Sequence, residues 1–119
     1  MDTAIQLDSR VKTSRKVIVH GRNGQAEGEL VDLSLKGVGV IVNRGAREGT
    51  ELEAEFELPA LGTFRVFHLL GKVTHRHNTG DQVYLTIAFN KLNDEDQAAL
   101  EDFINYKNRL SRLNKKEFS

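Results

Sequence analysis

Residues 51–58 read Glu-Leu-Glu-Ala-Glu-Phe-Glu-Leu. Leu52, Ala54, Phe56 and Leu58 alternate strictly with Glu51, Glu53, Glu55 and Glu57. Successive side chains of a strand point to opposite faces, so this segment is a strand with one apolar row and one carboxylate row. A helix would scatter the four acids around its circumference. Strands with one wet face belong to antiparallel sheets, and the apolar row must be covered from inside. That requirement selects a sandwich or a barrel.

The rest of the chain supplies partners for this strand. Lys16 to His20 is β-branched and reads as a first strand. Asn23-Gly24 is a hairpin signal, because both residues tolerate positive φ. A second strand is expected over residues 25–33, and a third where Val38, Val40 and Val42 alternate with Gly39 and Ile41. Residues 45–49 form a loop and residues 59–62 a turn. Residues 63–75 form a longer apolar run whose phase changes between Val66 and Leu69, which predicts a bulge. Residues 78–81 turn the chain into a last strand with Val83, Leu85, Ile87 and Phe89 on one face.

Asn93 then offers an N-cap, followed by Asp94, Glu95 and Asp96, where the helix dipole favours anions. Leu100, Phe103, Ile104, Leu110 and Leu113 follow helical spacing, with Lys107 interrupting the stripe. Arg109, Arg112, Lys115 and Lys116 complement the far end of the dipole. The expected fold class is mainly β: a six-stranded antiparallel β-barrel with a C-terminal α-helix at about residues 93–115. No βαβ alternation occurs, which excludes a parallel nucleotide-binding sheet. At 119 residues one domain is expected. Residues 1–15 are expected to form a flexible basic arm and residues 16–119 the barrel with its helix.

Charge and composition narrow the function. Lys+Arg and Asp+Glu both number 17, so any anion site must be local. There is no cysteine, hence no disulfide, thiolate metal site or cysteine nucleophile. No apolar run is long enough to span a bilayer, and no signal-peptide pattern opens the chain. A cytoplasmic protein without membrane insertion is expected. His75 and His77 share a strand face, but zinc needs three or four ligands, so no metal is expected. The glutamate row reads as a solvated face that protects an edge. No P-loop, nucleophile elbow or dinucleotide fingerprint is present, so no enzyme and no cofactor are expected. Phe56, Phe64 and Phe89 sit at core-phase positions, which argues against a stacking platform for single-stranded nucleic acid.

One turn carries recognisable chemistry. Asp32-Leu33-Ser34-Leu35-Lys36-Gly37 has the spacing D-x-S-x-x-G and follows the basic segment from Arg10 to Lys16. Asp32 and Ser34 share a face if the strand runs that far. Gly37 is expected to take positive φ and let backbone approach a ligand. A carboxylate matches the paired N–H donors of the guanine edge, and arginine matches phosphate. A local Ser or Asx turn is the plain alternative for the same residues.

The order of arm, strand, Asn-Gly hairpin, strand, D-x-S-x-x-G turn, strands and helix resembles the PilZ domain family. The segments Gly71-Lys72-Val73 and Val83 to Phe89 add to the likeness, which spans roughly residues 8–106. The resemblance implies a six-stranded barrel that binds cyclic di-GMP between an R-x-x-x-R arm and the turn, without catalysis. It implies ligand contacts from Arg10, Arg15, Asp32, Ser34 and Gly37, with Lys12 and Lys36 as accessories. Arg15 matches the second arginine of the arm, while Val11 stands at the first and Arg10 lies one residue away. His75 stands where many members carry tryptophan. The resemblance also implies an unidentified protein effector and control of motility, adhesion or exopolysaccharide. A monomer or weak dimer is expected. Two other readings follow: a nucleotide-blind interaction module of the same fold, and a barrel for single-stranded nucleic acid.

Overall fold

In a computed structural model, the backbone is described over residues 10–118 and the side chains over residues 10–112. Six strands form a closed antiparallel barrel: β1 (Val11–Gly21), β2 (Gly24–Leu33), β3 (Gly37–Val42), β4 (Glu51–Ala60), β5 (Thr63–Thr79) and β6 (Gln82–Phe89). The order around it is β1-β2-β3-β6-β5-β4, and Val17 to His20 closes the ring against Phe56, Glu55, Ala54 and Glu53. One helix follows, α1 (Asp94–Phe118). The mainly β barrel with a C-terminal helix agrees with the sequence pattern.

Alternation builds the core. Val17, Leu30, Leu33, Val38, Val40, Leu58, Phe67, Leu85 and Ile87 point inward and are essentially inaccessible. Phe56 and Phe67 stack at 5.3 Å between ring centroids. Burying one such side chain contributes about 1.5–3 kcal/mol. The helix closes one end of the barrel, burying Ala99, Leu100, Phe103 and Ile104 against β4 and β1. Asn93 Oδ1 accepts the Asp96 amide at 2.7 Å, as expected of an N-cap. Arg65 reaches from β5 to Asp96 at 3.0 Å and lies over the Phe67 ring, tying the first helical turn to the barrel.

Several expectations change. β1 begins at Val11, five residues before the expected strand, because Val11 is buried and pairs with Leu33. Residues 1–9 of the expected arm lie outside the described residues. The β1–β2 loop is Arg22-Asn23, and only Gly24 beside it has positive φ. The pair with positive φ at both positions is instead Leu61 (55°) and Gly62 (83°), joining β4 to β5 as a type I′ loop requires. No bulge separates Val66 from Leu69 against β4; the irregularity lies between Val73 and His75 against β6. Phe67 and Leu69 therefore keep one phase inward, and Phe64, Val66 and Leu70 face out. Phe64 is not a core residue. The apolar helix stripe ends at Ile104, since Leu110 is exposed; the Leu113, Lys115 and Lys116 side chains lie outside those described.

Candidate functional site

The end of the barrel closed by the helix also carries the β2–β3 turn. Ser34 is the one buried polar residue among those described. Its amide donates to the Gly37 carbonyl at 2.9 Å. Its Oγ accepts the amides of Lys36 (3.1 Å) and Gly37 (3.2 Å). The hydroxyl thus satisfies two donors that a tight turn would otherwise leave unpaired. The serine-turn geometry is realised, and it is what shapes the rim. The Lys36 carbonyl accepts the Phe89 amide at 2.8 Å, which fastens the turn to the end of β6.

Gly37 serves a different purpose from the one expected. Its φ is not positive, and it sits in β3 opposite Ala88. A Cβ there would lie 2.3 Å from the Ile87 carbonyl oxygen. Glycine is required so that β6 can approach the turn closely.

Arg10 joins the two polar residues of the motif. Its Nε stands 3.0 Å from Asp32 Oδ1, and its Nη1 donates to Ser34 Oγ at 3.3 Å. The Arg10–Asp32 contact has ion-pair distance without hydrogen-bond alignment, so Asp32 Oδ1 is a buried acceptor with no aligned donor. Asp32 Oδ2 accepts the Tyr84 hydroxyl at 2.9 Å.

Tyr84 is a site residue that the linear motif does not contain. It stands on β6, two strands from Asp32, and reaches it across Gly39 of β3. A Cβ on Gly39 would fall 2.3 Å from Tyr84 Oη and 2.6 Å from both Asp32 oxygens. The bare glycine is the floor over which phenol and carboxylate meet. Burial, and then the bond to Asp32, push the Tyr84 hydroxyl above its ordinary value of 10.0, so it remains a donor. The signal in the sequence was Gly39, a glycine within an otherwise apolar strand.

The expected site residues thus fall into two groups. Arg10, Asp32, Ser34 and Gly37 come together. Arg15 is held elsewhere, its Nη1 donating to the Glu57 carbonyl at 3.3 Å. It lines a groove of about 730 Å³ with Lys16, Phe103, Tyr106 and Lys107, between β1, β4 and the helix. Lys12 is exposed and faces Asp32 across the β1–β2 ladder; Lys36 is exposed in the turn itself.

Two histidines bridge to the glutamate row across strands. His20 Nε2 lies 2.7 Å from Glu55 Oε1, and His68 Nδ1 lies 2.9 Å from Glu53 Oε2. Among the described residues no group of three His, Asp or Glu could hold a metal ion. No helix among them is long and apolar enough to cross a membrane.

Comparison with known proteins bears on this rim. The family model for the PilZ domain matches residues 6–106. No curated protein matches the chain. Among solved structures, the inhibitor of motility MotI/DgrA of Bacillus subtilis is similar at 20% identity and a TM-score of 0.72, over 89% of this chain and 50% of that one. Escherichia coli YcgR in complex with cyclic di-GMP is similar at 18% identity and a TM-score of 0.72, over 93% of this chain and 49% of that one. The PilZ domain of YcgR alone, with cyclic di-GMP, is similar at 16% identity and a TM-score of 0.69, over 91% of this chain and 95% of that one. This chain therefore spans about half the length of the first two.

Proposed function

This chain belongs to the PilZ domain family, and from that premise we propose that it is a receptor for cyclic di-GMP which relays the signal to a protein partner. The observation that carries the reading is the Asp32 carboxylate. It is held at the rim by Tyr84, and its second oxygen faces the Arg10 Nε at 3.0 Å without hydrogen-bond alignment. The Watson–Crick edge of guanine presents two adjacent N–H donors and suits such an acceptor. Similar structures of YcgR and of Borreliella burgdorferi PlzA contain cyclic di-GMP, which supports the reading.

In this mechanism Arg10 is the residue that moves. Without ligand it lies against Asp32 and Ser34. When guanine takes Asp32, the guanidinium is freed to bind a phosphate, and charge-assisted bonds of that kind are roughly twice as strong as neutral ones. Arg15 gives up one long bond to a carbonyl and joins it. Lys12 and Lys36 add positive charge around the phosphates, and Gly37 keeps the turn tight. Arg10, just before β1, and Arg15 within it turn toward the ligand together. The changed position of Arg10 and Arg15 then presents a surface to a protein effector in the cytoplasm, in control of motility, adhesion or exopolysaccharide. No step is catalytic.

Calorimetry of the chain with cyclic di-GMP, and GTP as control, tests the reading. Arg15→Ala should abolish binding and Asp32→Ala should weaken it strongly; unchanged affinity in both variants contradicts the site. A nucleotide-blind interaction module is the second reading. It is favoured by Val11, which stands in place of the first arm arginine and is buried in the core. Absence of any heat with cyclic di-GMP would select it.

A further inference from the structure

The outer surface of the barrel is unevenly apolar. Among the described residues, the large hydrophobic side chains left exposed are Leu61, Phe64, Val66, Leu70, Tyr106 and Leu110. All lie on β5, on the loop before it, or on the helix; none lies on β1, β2, β3 or β6. Phe64, Val66, His68 and Leu70 form the outward row of β5, about 7 Å from one to the next. Leu61, Phe64, Tyr106 and Arg109 continue that row as the walls of a cleft of about 480 Å³ between the β4–β5 loop and α1. A strand apolar on both rows belongs to a sheet covered on both faces. The core covers the inner row of β5, while Phe64 on the outer row is 65% exposed. A contiguous stripe of this kind marks an interaction surface.

We propose that the stripe is a two-fold interface on which a second copy of this chain docks, β5 against β5. The arrangement of charge beside the stripe identifies the occupant. On β4, Pro59 stands opposite Phe64, Glu57 opposite Val66, Glu55 opposite His68 and Glu53 opposite Leu70. Negative charge therefore flanks the stripe from Val66 to its Leu70 end, where Glu53 also bonds His68, and Arg109 stands beside Asp102 at its Phe64 end. One pair further on, Glu51 stands opposite Lys72. A two-fold interface must be self-complementary. Turning a second copy end for end about an axis between Val66 and His68 sets Phe64 on Leu70, Val66 on His68 and the Arg109 end on Glu53. A uniformly basic partner would meet Arg109 with like charge, and a uniformly acidic one would meet the glutamates. The chain carries 17 basic and 17 acidic residues, so two copies approach without net repulsion. The inference is independent of nucleotide binding.

Sedimentation velocity over a concentration series tests it. The chain should form dimers as concentration rises, and Phe64→Ser or Leu70→Ser should each raise the dimer dissociation constant about tenfold or more. Glu53→Arg and Arg109→Glu should each weaken the dimer, and the two together should restore it in part. Circular dichroism of each variant should remain that of the parent, because Phe64, Leu70 and Arg109 are exposed and the half-buried Glu53 points away from the core. A chain that stays monomeric up to about 1 mM overturns the proposal, that being the range of very weak association. So does a dimer indifferent to Phe64→Ser, or a stripe that binds only a basic or an acidic peptide while the chain stays monomeric.

Discussion

Two loops at the same end of the barrel were built by opposite means. The Ser34–Gly37 turn is polar within, its amides satisfied by a buried hydroxyl and its flank held by Arg10, Asp32 and Tyr84. The Leu61–Gly62 loop holds a leucine at φ 55°, and its amide is tied to Asp102 of the helix at 2.8 Å. Its side chains are apolar and exposed. The first is suited to a small polar guest, since Tyr84 and the Ser34 turn fix the acceptors before anything arrives and only Arg10 has to move. The second is suited to another protein surface. On the reading proposed above, one scaffold would separate recognition of a ligand from recognition of a partner by the width of a barrel end.

The comparison can be broken at several points, in descending order of effect. Asp32→Ala should cost the ligand about 3 kcal/mol, near a hundredfold in affinity by calorimetry, because hydrogen bonds to a charged group are each worth roughly 1.5–3 kcal/mol. Leu61→Ala should leave that affinity unchanged. Gly37→Ala should destabilise the fold by about 2–3 kcal/mol in urea titration, since the added methyl meets the Ile87 carbonyl. Gly62→Ala meets no atom within 4 Å, and its cost should be only the left-handed strain of about 1 kcal/mol. Leu61→Asn should stabilise by about 0.5–1 kcal/mol, because asparagine tolerates the conformation that leucine is forced to hold.

A pH experiment sharpens the polar side. The folded Tyr84 hydroxyl titrates above its ordinary 10.0, so its stabilising contribution is complete below that value. The contribution is lost as pH rises from there through the higher folded value. Comparing urea stability of the parent and Tyr84→Phe across this alkaline window should show the difference shrinking with rising pH. A difference that grows there would contradict the donor role.

Much of this architecture was legible in the chain. The Glu51–Leu58 alternation, the valines of β3 and the Asn93 cap follow from local periodicity and hydrogen-bond chemistry, which need no knowledge of neighbours. The D-x-S-x-x-G spacing marked the rim for the same reason, since a serine turn is local. Three features were not legible. Phe64, Val66 and Leu70 look like core residues because hydrophobicity does not reveal which row of a strand is covered. Gly37 looks like a positive-φ residue because sequence does not show that β6 lies against it. Tyr84 is 52 residues from Asp32, and their bond exists only once β3 lies between them with a glycine at position 39.

The central claim is that the Arg10 guanidinium yields Asp32 to guanine and turns to phosphate. Nitrogen-15 NMR of the Arg10 Nε–H and of the Lys36 and Gly37 amides, followed through a titration with cyclic di-GMP, addresses it directly. All three signals should shift together and saturate at one equivalent stoichiometry, whereas GTP leaves them in place. Saturating cyclic di-GMP with the Arg10 and turn signals unmoved would contradict the account.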